Sequence, residues 1–297
     1  MKNILMTEHG TITFDWKKSI WLYMMLIPIL FINFSKIKAF DIYFNIIFTF
    51  LSVGFGHSVG LHRGIIHKSY TASKLFRKIS LHLFVLTGLG SPLSWLKQHY
   101  FRDYWQNRKD CLRYFRYQHS LFTDYWWNLH LKFQPKELDR YNIPKEDLND
   151  PLILWLHKTW HIHYITFAIT IYFLLGLNGM LMATCLRTST IILGHWYIGY
   201  ASHKYGYSRH IIKDADESGY NDIFLGLISF GEGFHNNHHA FPTSAKFSSK
   251  LYEIDFGWML VWILSKLNII KNVNTQKNNL KTKAIKHQNV NWKFPKI

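Results

Sequence analysis

The sequence is poor in cysteine, proline and acidic residues. Its 297 residues include 2 cysteines, 7 prolines and 18 acidic residues against 35 lysines and arginines, and the formal net charge is +17. Cys111 and Cys185 can form at most one disulfide. This excludes a small secreted scaffold held by several bridges and makes reduced thiols the simpler interpretation. The first 18 residues lack an apolar core, so no cleavable signal peptide is predicted.

Charged residues are missing from two early stretches, residues 19–34 and residues 42–56. These runs of 16 and 15 residues are shorter than the roughly 20 that a membrane-spanning helix needs. Flanking Tyr, Trp and Lys residues can extend them into the membrane interface. Two buried core helices are the alternative interpretation. Because a helix in a soluble core rarely lacks a polar face over four turns, membrane spans are favoured.

A third apolar stretch, residues 164–194, contains a single charge, Arg187. As one helix it would be about 46 Å long, which is well beyond a hydrocarbon core of about 30 Å. The turn signal GLNG at residues 176–179 divides the stretch into two spans. The sequence therefore predicts four membrane-spanning helices, at about residues 19–35, 41–60, 164–176 and 180–200.

Basic residues are distributed unevenly about the predicted spans. The segments 1–18, 62–163 and 203–297 fall on one side of the membrane and contain 32 of the 35 lysines and arginines. The positive-inside tendency places that side in the cytoplasm. No nucleic-acid-binding module is recognisable, so we expect the charge to attract anionic lipid headgroups or acidic substrates. The expected organisation is a cytosolic N-terminal segment (1–18), a membrane-embedded domain (19–270) and a mobile basic tail (271–297).

Histidines form four clusters that follow the predicted spans. His235, His238 and His239 stand at i, i+3 and i+4, so a helix would place three imidazoles on one face, where they can converge on one or two metal ions. Packing alone gives no reason for such a triplet. Imidazole suits iron, zinc, copper and nickel, so the spacing leaves the metal open. The other clusters contain His62 with His67, His99, and His203.

Residue spacing and the number of spans both limit how the histidine clusters can share a metal centre. His62 and His67 would be about 140° apart on an ideal α-helix, so they need a helix end or two different ions. With four spans, all four clusters lie on the same side of the membrane, whereas three spans would separate them. A structural role suffices for the isolated histidines His9, His82, His157, His210 and His287.

Three stretches of the sequence, GLHRGIIHKSY, GSPLSWLKQH and FGEGFHNNHHAFP, resemble the histidine boxes of the membrane-bound fatty acyl desaturases that act on acyl-CoA or acyl-lipid. The resemblance covers about residues 40–270. It implies a di-iron centre held by nine histidines that uses O2 and two electrons to introduce a double bond into a fatty acyl chain. The fold class that it implies is an all-α integral membrane protein, with four transmembrane helices and a cytosolic helical cap that carries the di-metal site.

The resemblance also implies which residues bind the metal, but the second box departs from the family pattern. Arg102 and Asp103 stand where the family has histidines, and a family position that often carries Asn aligns with Gly199. A carboxylate oxygen binds iron well, whereas the guanidinium of Arg102 stays protonated. Asp103 is therefore predicted as a ligand. The seven family ligand positions that match are His62, His67, His99, His203, His235, His238 and His239.

The altered second box leaves two alternatives open besides ligation by Asp103. One is that a spare histidine takes the missing place, and the other is that one iron site is lost. A chain with one iron could be a non-catalytic lipid-binding or regulatory protein, and a related fatty acid hydroxylase is a further alternative. The spare histidines are His57, His119, His130 and His195.

The sequence also bears on the source of electrons. It contains no flavin or nicotinamide fingerprint and no HPGG motif of a fused cytochrome b5. We therefore expect a separate electron donor of the ferredoxin, rubredoxin or cytochrome b5 type. A basic cytosolic face would attract such acidic carriers. The expected protein is thus a multi-pass membrane enzyme, a fatty acid desaturase with its active site on the cytoplasmic side.

Overall fold

The computed structural model describes residues 3–276 and 284–293, and most of them are helical. The mostly helical character agrees with the predicted fold class. The helices, in chain order, are α1 Trp16–Leu26, α2 Ala39–Thr49, α3 Lys74–Val85, α4 Pro92–Gln106, α5 Leu121–His130, α6 Lys145–Leu148, α7 Pro151–Leu181, α8 Arg187–Lys204, α9 Ile223–Ile228, α10 His235–Ala240 and α11 Phe256–Lys266.

The chain divides into two compact units. The first unit comprises Met1–Phe50, Val85–Tyr100 and Gln118–Trp196. The second unit comprises Leu51–Phe84, Phe101–Tyr117 and Tyr197–Ile297.

Aspartates begin several of the helices. Asp150 caps α7 by accepting a hydrogen bond from the backbone N–H of Ile153, and Pro151 occupies the first helical position, where no N–H is needed. Asp255 caps α11 in the same way, by accepting from the N–H of Trp258 at 2.8 Å. These caps satisfy amide groups that would otherwise lack a partner at the helix start.

Within the described residues, two helical stretches are long and apolar enough to cross a membrane. The first, Ala39–Ile66, has 28 residues and includes the predicted span 41–60. The second, Pro151–Lys204, has 54 residues and is interrupted at Gly176, where φ is 70° and ψ is −175°. This break lies at the start of the predicted turn, and a positive φ is a conformation that glycine adopts readily.

The predicted span at residues 19–35 has a different local structure. Helix α1 ends at Leu26, and a 3-10 segment, Ile27–Phe31, follows it. Pro28 lies in that segment, and proline supplies no N–H for a regular α-helix. Four spans therefore stay a prediction.

Large apolar side chains are exposed along these helices. Leu30 in the 3-10 segment is 82% exposed and Phe173 in α7 is 80% exposed. A helix in a soluble core would bury such residues, whereas a lipid environment would cover them.

Among the residues that the structure describes, seven strands correct the expectation of an all-α fold. The strands β1 Asn3–Thr7, β2 Gly10–Phe14 and β4 Leu131–Pro135 form an antiparallel sheet in the order β1-β2-β4. In β2, Thr and Ile residues suit a half-buried sheet, but five residues are too few to stand out beside the long apolar helices. The remaining strands are β3 Thr71–Ala72, β5 Gly206–Ile212, β6 Ile270–Lys271 and β7 Ala284–Lys293.

The last strand of the chain, β7, forms a two-stranded sheet within the second unit. Strand β7 pairs antiparallel with β5, with Tyr207 opposite Trp292. It therefore joins part of the stretch 271–297 to the second unit, whereas the mobility predicted for that stretch stays a prediction. Residues 277–283 and 294–297 of the predicted tail, and the side chain of His287, lie outside the described part of the chain.

Each unit has its own apolar core. In the first unit, residues from α1, α7 and the segment Met182–Leu186 pack together, among them Met25, Tyr164 and Leu181. In the second unit, Val59 packs with Phe230 and with the buried face of α11.

Helix α11 offers a matched test of the second core. Leu264 is 6% exposed and Leu267 is 63% exposed. We expect Leu264→Ala to lower the free energy of unfolding by about 2–5 kcal/mol, because it leaves a cavity. The same change at Leu267 should cost less than about 0.5 kcal/mol. Thermal unfolding in detergent micelles measures both, and equal losses would contradict the assignment of α11 to this core.

Candidate metal centre

Six of the seven histidines singled out by the sequence lie in the second unit. His62 lies in a π-helical segment, Phe50–Ile66, that continues directly from α2, and His67 follows its end. His203 lies near the end of α8, and the other three are on α10. His99 lies on the part of α4 that belongs to the first unit.

A first group consists of His62, His67 and His238. Their possible ligand atoms all lie within 4.8 Å of one another, and the Nε2 atoms of His62 and His67 are 3.1 Å apart. The N–H of His67 donates to the carbonyl of His62 at 3.0 Å. This i→i+5 bond is the wide turn of a π-helix. It brings together two rings that an α-helix would point about 140° apart.

A second group consists of His203, His235 and His239, whose possible ligand atoms also lie within 4.8 Å of one another. The Nε2 atom of His235 is 3.0 Å from the Nε2 atom of His203 and 3.0 Å from that of His239. The predicted triplet on α10 is therefore divided between the two groups. His238 serves the first group, while its neighbours at i−3 and i+1 serve the second.

The two asparagines of α10 hold this short helix in place. Asn236 accepts hydrogen bonds from the N–H groups of Arg209 and His210 at 2.8 and 2.9 Å. Asn237 donates to the carbonyl of Phe247 at 2.9 Å and to the carboxylate of Glu253 at 3.2 Å. Both asparagines are fully buried. With only six residues, α10 depends on these side-chain bonds rather than on its own helical hydrogen bonds.

One glutamate outside the predicted ligand set lies behind each group. Glu232 Oε2 lies 2.7 Å from His62 Nδ1, and Glu217 Oε2 lies 3.3 Å from His203 Nδ1. A carboxylate at Nδ1 keeps the proton on that nitrogen and leaves the lone pair on Nε2. The Nε2 atoms of both rings are the ones that face other histidines in their groups. In the sequence, the position of Glu232 three residues before His235 was the feature that could have identified it.

A buried ion network holds Glu232. Arg63 is fully buried, and its guanidinium donates to Glu232 Oε1 at 2.9 Å and to Asp255 Oδ1 at 3.1 Å. The same guanidinium lies 3.8 Å from the ring centroid of Phe247. The two oxygens of Glu232 therefore contact different partners, one a histidine of the first group and the other an arginine.

Burial also controls the charge of these groups. Desolvation, followed by the nearby histidines of both groups, lowers the pKa of His238 well below 6.5, so its ring is neutral near pH 7. Burial alone would raise the pKa of Glu217, but the hydrogen bond and charge of His203 and the N–H of Tyr117 outweigh it and lower that pKa. The neutral ring is the form in which histidine binds a metal, and burial favours that form for His238.

The donor set fits metal ions. His235 Nε2 faces two other Nε2 atoms, and a single N–H can satisfy only one of these contacts. The Nδ1 atom of His238 is buried and has no hydrogen-bond partner among the described residues. A cation in each group would satisfy several lone pairs at once. All-imidazole donors suit iron, zinc, copper or nickel.

Arg102 and Asp103, the two positions at which the second box departs from the family pattern, can be compared with the histidine groups. Within residues 3–276, neither histidine group of the second unit includes Asp103, so its role as a ligand stays a prediction. The guanidinium of Arg102 donates to the hydroxyl of Tyr117 at 2.7 Å.

The spare histidines are also absent from both groups, within the same residues. His119 Nε2 lies 2.6 Å from the buried carboxylate of Asp124, and His130 Nδ1 lies 2.8 Å from the hydroxyl of Ser19. These two rings have partners of their own in the first unit. The spare histidines that belong to neither group are His57, His119, His130 and His195.

Comparisons with known proteins agree with this chemistry. The family model described as fatty acid desaturase matches residues 42–248. An sn-1 stearoyl-lipid 9-desaturase of Anabaena variabilis is 26% identical over 74% of this chain and 79% of its own length. An sn-2 palmitoyl-lipid 9-desaturase of a Nostoc strain is 29% identical over 73% and 76%. An acyl-CoA 5-desaturase of Anemone leveillei is 26% identical over 74% and 67%.

The contact between Glu232 and His62 can be tested through metal affinity. We expect Glu232→Gln to weaken metal binding at the first group about 10–100-fold, because a neutral amide has only one acceptor oxygen for His62 and Arg63. Cobalt titration of metal-free protein in competition with a chelator measures the affinity. Glu137→Gln is the matched control, since that side chain is 71% exposed. Equal affinities in the two variants would show that Glu232 does not orient a ligand.

Proposed function

The chain belongs to the fatty acid desaturase family, and from that premise we propose that it is a membrane di-iron oxidoreductase that introduces a double bond into a fatty acyl chain. The observation that carries the proposal is the presence of two groups of three histidines. In each group, Nε2 atoms lie about 3 Å apart, and one ring is backed by a glutamate. Family membership makes the protein an oxidoreductase of lipid metabolism.

The proposed ligands follow from the two groups and from the family pattern. The first iron would be held by His62, His67 and His238, with His99 added on the evidence of the sequence resemblance. The second would be held by His203, His235 and His239. Asp103 is the proposed eighth ligand. It stands one position after Arg102 and four after His99, on the same helix, and its carboxylate suits iron.

The overall reaction consumes one O2, two electrons and two protons, converts a CH2–CH2 unit to CH=CH and releases two water molecules. The bound irons would supply the activation of O2 and the oxidising power for removal of the two hydrogens. The protein supplies the imidazoles, orients His62 and His203 through Glu232 and Glu217, and holds these groups in a site that is buried at the first group and partly buried at the second. Preorganisation of this kind avoids rearranging the ligands during reaction.

Substrate and electron donor are proposed by class. The relatives are named for acyl-lipid and acyl-CoA substrates, and we propose one of these two acyl carriers for this chain. A separate ferredoxin, rubredoxin or cytochrome b5 would supply the electrons. The chain would cross the membrane several times and present its active site to the cytoplasm. Two apolar helices and family membership support its being a membrane protein.

Expression in a host with analysed lipids tests the activity. We expect the wild-type chain, supplied with a donor, to add monounsaturated fatty acids and to contain roughly two irons per chain. His238→Ala should reduce the new product to background, because it removes a buried ligand. His82→Ala is the control, since His82 Nδ1 lies 2.8 Å from the carbonyl of Lys78 one turn earlier in α3. Gas chromatography and iron analysis measure both.

The other outcomes of this experiment separate the alternatives. New hydroxylated fatty acids in place of new double bonds would identify a hydroxylase. No product with any donor, together with fewer than two irons, would identify a non-catalytic lipid-binding or regulatory protein. Either result would overturn the proposed desaturation.

The role of Asp103 has its own test. Asp103→Asn should weaken binding of one of the two irons about tenfold, because it removes a charged oxygen ligand. Asp110→Asn is the control, since that carboxylate is 60% exposed and pairs with Arg108. Titration of metal-free protein with ferrous iron under anaerobic conditions measures the affinities. An unchanged affinity in Asp103→Asn would remove Asp103 from the ligand set.

A further inference from the structure

Arg102 occupies a family ligand position, yet its side chain has a different partner here. Its Nη1 donates to the hydroxyl of Tyr117 at 2.7 Å. A Cβ at Gly199 would lie 3.6 Å from that hydroxyl. That distance is an ordinary van der Waals contact, so position 199 lies beside the Arg102–Tyr117 pair without obstructing it.

Tyr117 contacts both a proposed ligand and the carboxylate behind it. Its ring lies flat on the ring of His203, with centroids 4.3 Å apart and planes 9° from parallel. Its backbone N–H donates to Glu217 Oε1 at 2.9 Å. The other oxygen of Glu217 faces His203 Nδ1 at 3.3 Å. Tyr117 is 5% exposed, so these contacts are shielded from water.

The segment that carries Tyr117 is tied down on both sides. The side-chain amide of Gln106 donates to the carbonyl of Phe115 at 3.2 Å, and the carbonyl of Gln106 accepts from the N–H of Glu217 at 3.2 Å. Arg116 forms an ion pair with Asp216. The backbone around Tyr117 is thus joined to the backbone around Glu217 by several bonds.

We propose that Tyr117 is a positioning residue for the second histidine group and that Arg102 acts by holding Tyr117. This inference rests on the proposed function and deepens it. Stacking restricts rotation of the His203 ring, and Glu217 fixes its tautomer. A ligand that is already oriented loses less freedom when it binds an ion. In this chain, orientation by Arg102 and Tyr117 compensates in part for the two histidines that the second box lacks.

The test uses the full-length protein, stripped of metal in detergent micelles and titrated with Co²⁺ under anaerobic conditions. The wild type should bind two ions. Tyr117→Leu, which removes both the stacked ring and the hydroxyl, should weaken one of the two ions about 10–100-fold and change its visible absorption. The other ion should be unaffected. Tyr114→Leu is the control, because Tyr114 lies on the same segment and packs on Phe115.

Two further variants make the test sharper. Tyr117→Phe keeps the stacked ring and loses only the bond to Arg102, so it should weaken the same ion less than Tyr117→Leu and should fold like the wild type. Arg102→Met should resemble Tyr117→Phe. In the Tyr117→Leu background, Arg102→Met should have no further effect, because an action through Tyr117 cannot add to the loss of Tyr117.

The inference about Tyr117 and the proposed di-iron function can fail separately, and the titrations distinguish the two outcomes. If the wild type binds two ions and Tyr117→Leu and Tyr117→Phe bind both with unchanged affinity and spectrum, the inference is wrong and the proposed function stands. Additive effects of Arg102→Met and Tyr117→Leu would show that Arg102 does not act through Tyr117. If the wild type itself binds fewer than two ions, the proposed di-iron function fails, and this inference fails with it.

Discussion

A buried histidine can bind a metal only as a neutral ring whose free lone pair points at the ion, and the second unit is built around this requirement. Burial keeps His238 neutral. Elsewhere a glutamate lies beside Nδ1, Glu232 at His62 and Glu217 at His203, where it favours the proton on that nitrogen. A carboxylate in such surroundings itself needs partners. Arg63 meets that need for Glu232, so an arginine outside both histidine groups supports the carboxylate beside His62.

A second requirement concerns the backbone between His62 and His67, which must bring both rings to one side. A spacing of five residues suits one metal only if the helix is wider than an α-helix, and the bond from the N–H of His67 to the carbonyl of His62 provides that width. π-Helical turns have poorer hydrogen bonds than α-helical ones and occur mostly where function needs them. Close packing against α3 supports the π-helical turn between His62 and His67. A Cβ at Gly60 would lie only 2.4 Å from the Cβ of Ser80 on α3, so glycine permits α3 to approach the segment.

Six of the histidines that the structure brings into two groups were singled out from the sequence, because histidine spacing is a local property of the sequence. The division of the α10 triplet was not predictable, since the i, i+3, i+4 pattern shows that side chains share a face but not which partners meet them. Glu217 was missed for a similar reason. It lies 14 residues after His203 in the chain, and only tertiary structure brings its carboxylate to that ring. The helical character and the break at Gly176 followed from hydropathy and turn chemistry, whereas five-residue strands carried too weak a pattern.

The altered second box has a further consequence for the second group. Orientation of His203 by Tyr117 can reduce the entropy lost on binding, but it cannot supply the bond that a missing histidine would make. An ion held by three imidazoles therefore has more coordination positions left for small ligands than one held by four or five. Open positions are a property of catalytic metal sites, where water or substrate binds. With four imidazoles proposed for the first ion and three for the second, the carboxylate of Asp103 decides which ion is the more open: bound to the second ion it would give each ion four protein ligands, and bound to the first it would leave the second ion more accessible to O2.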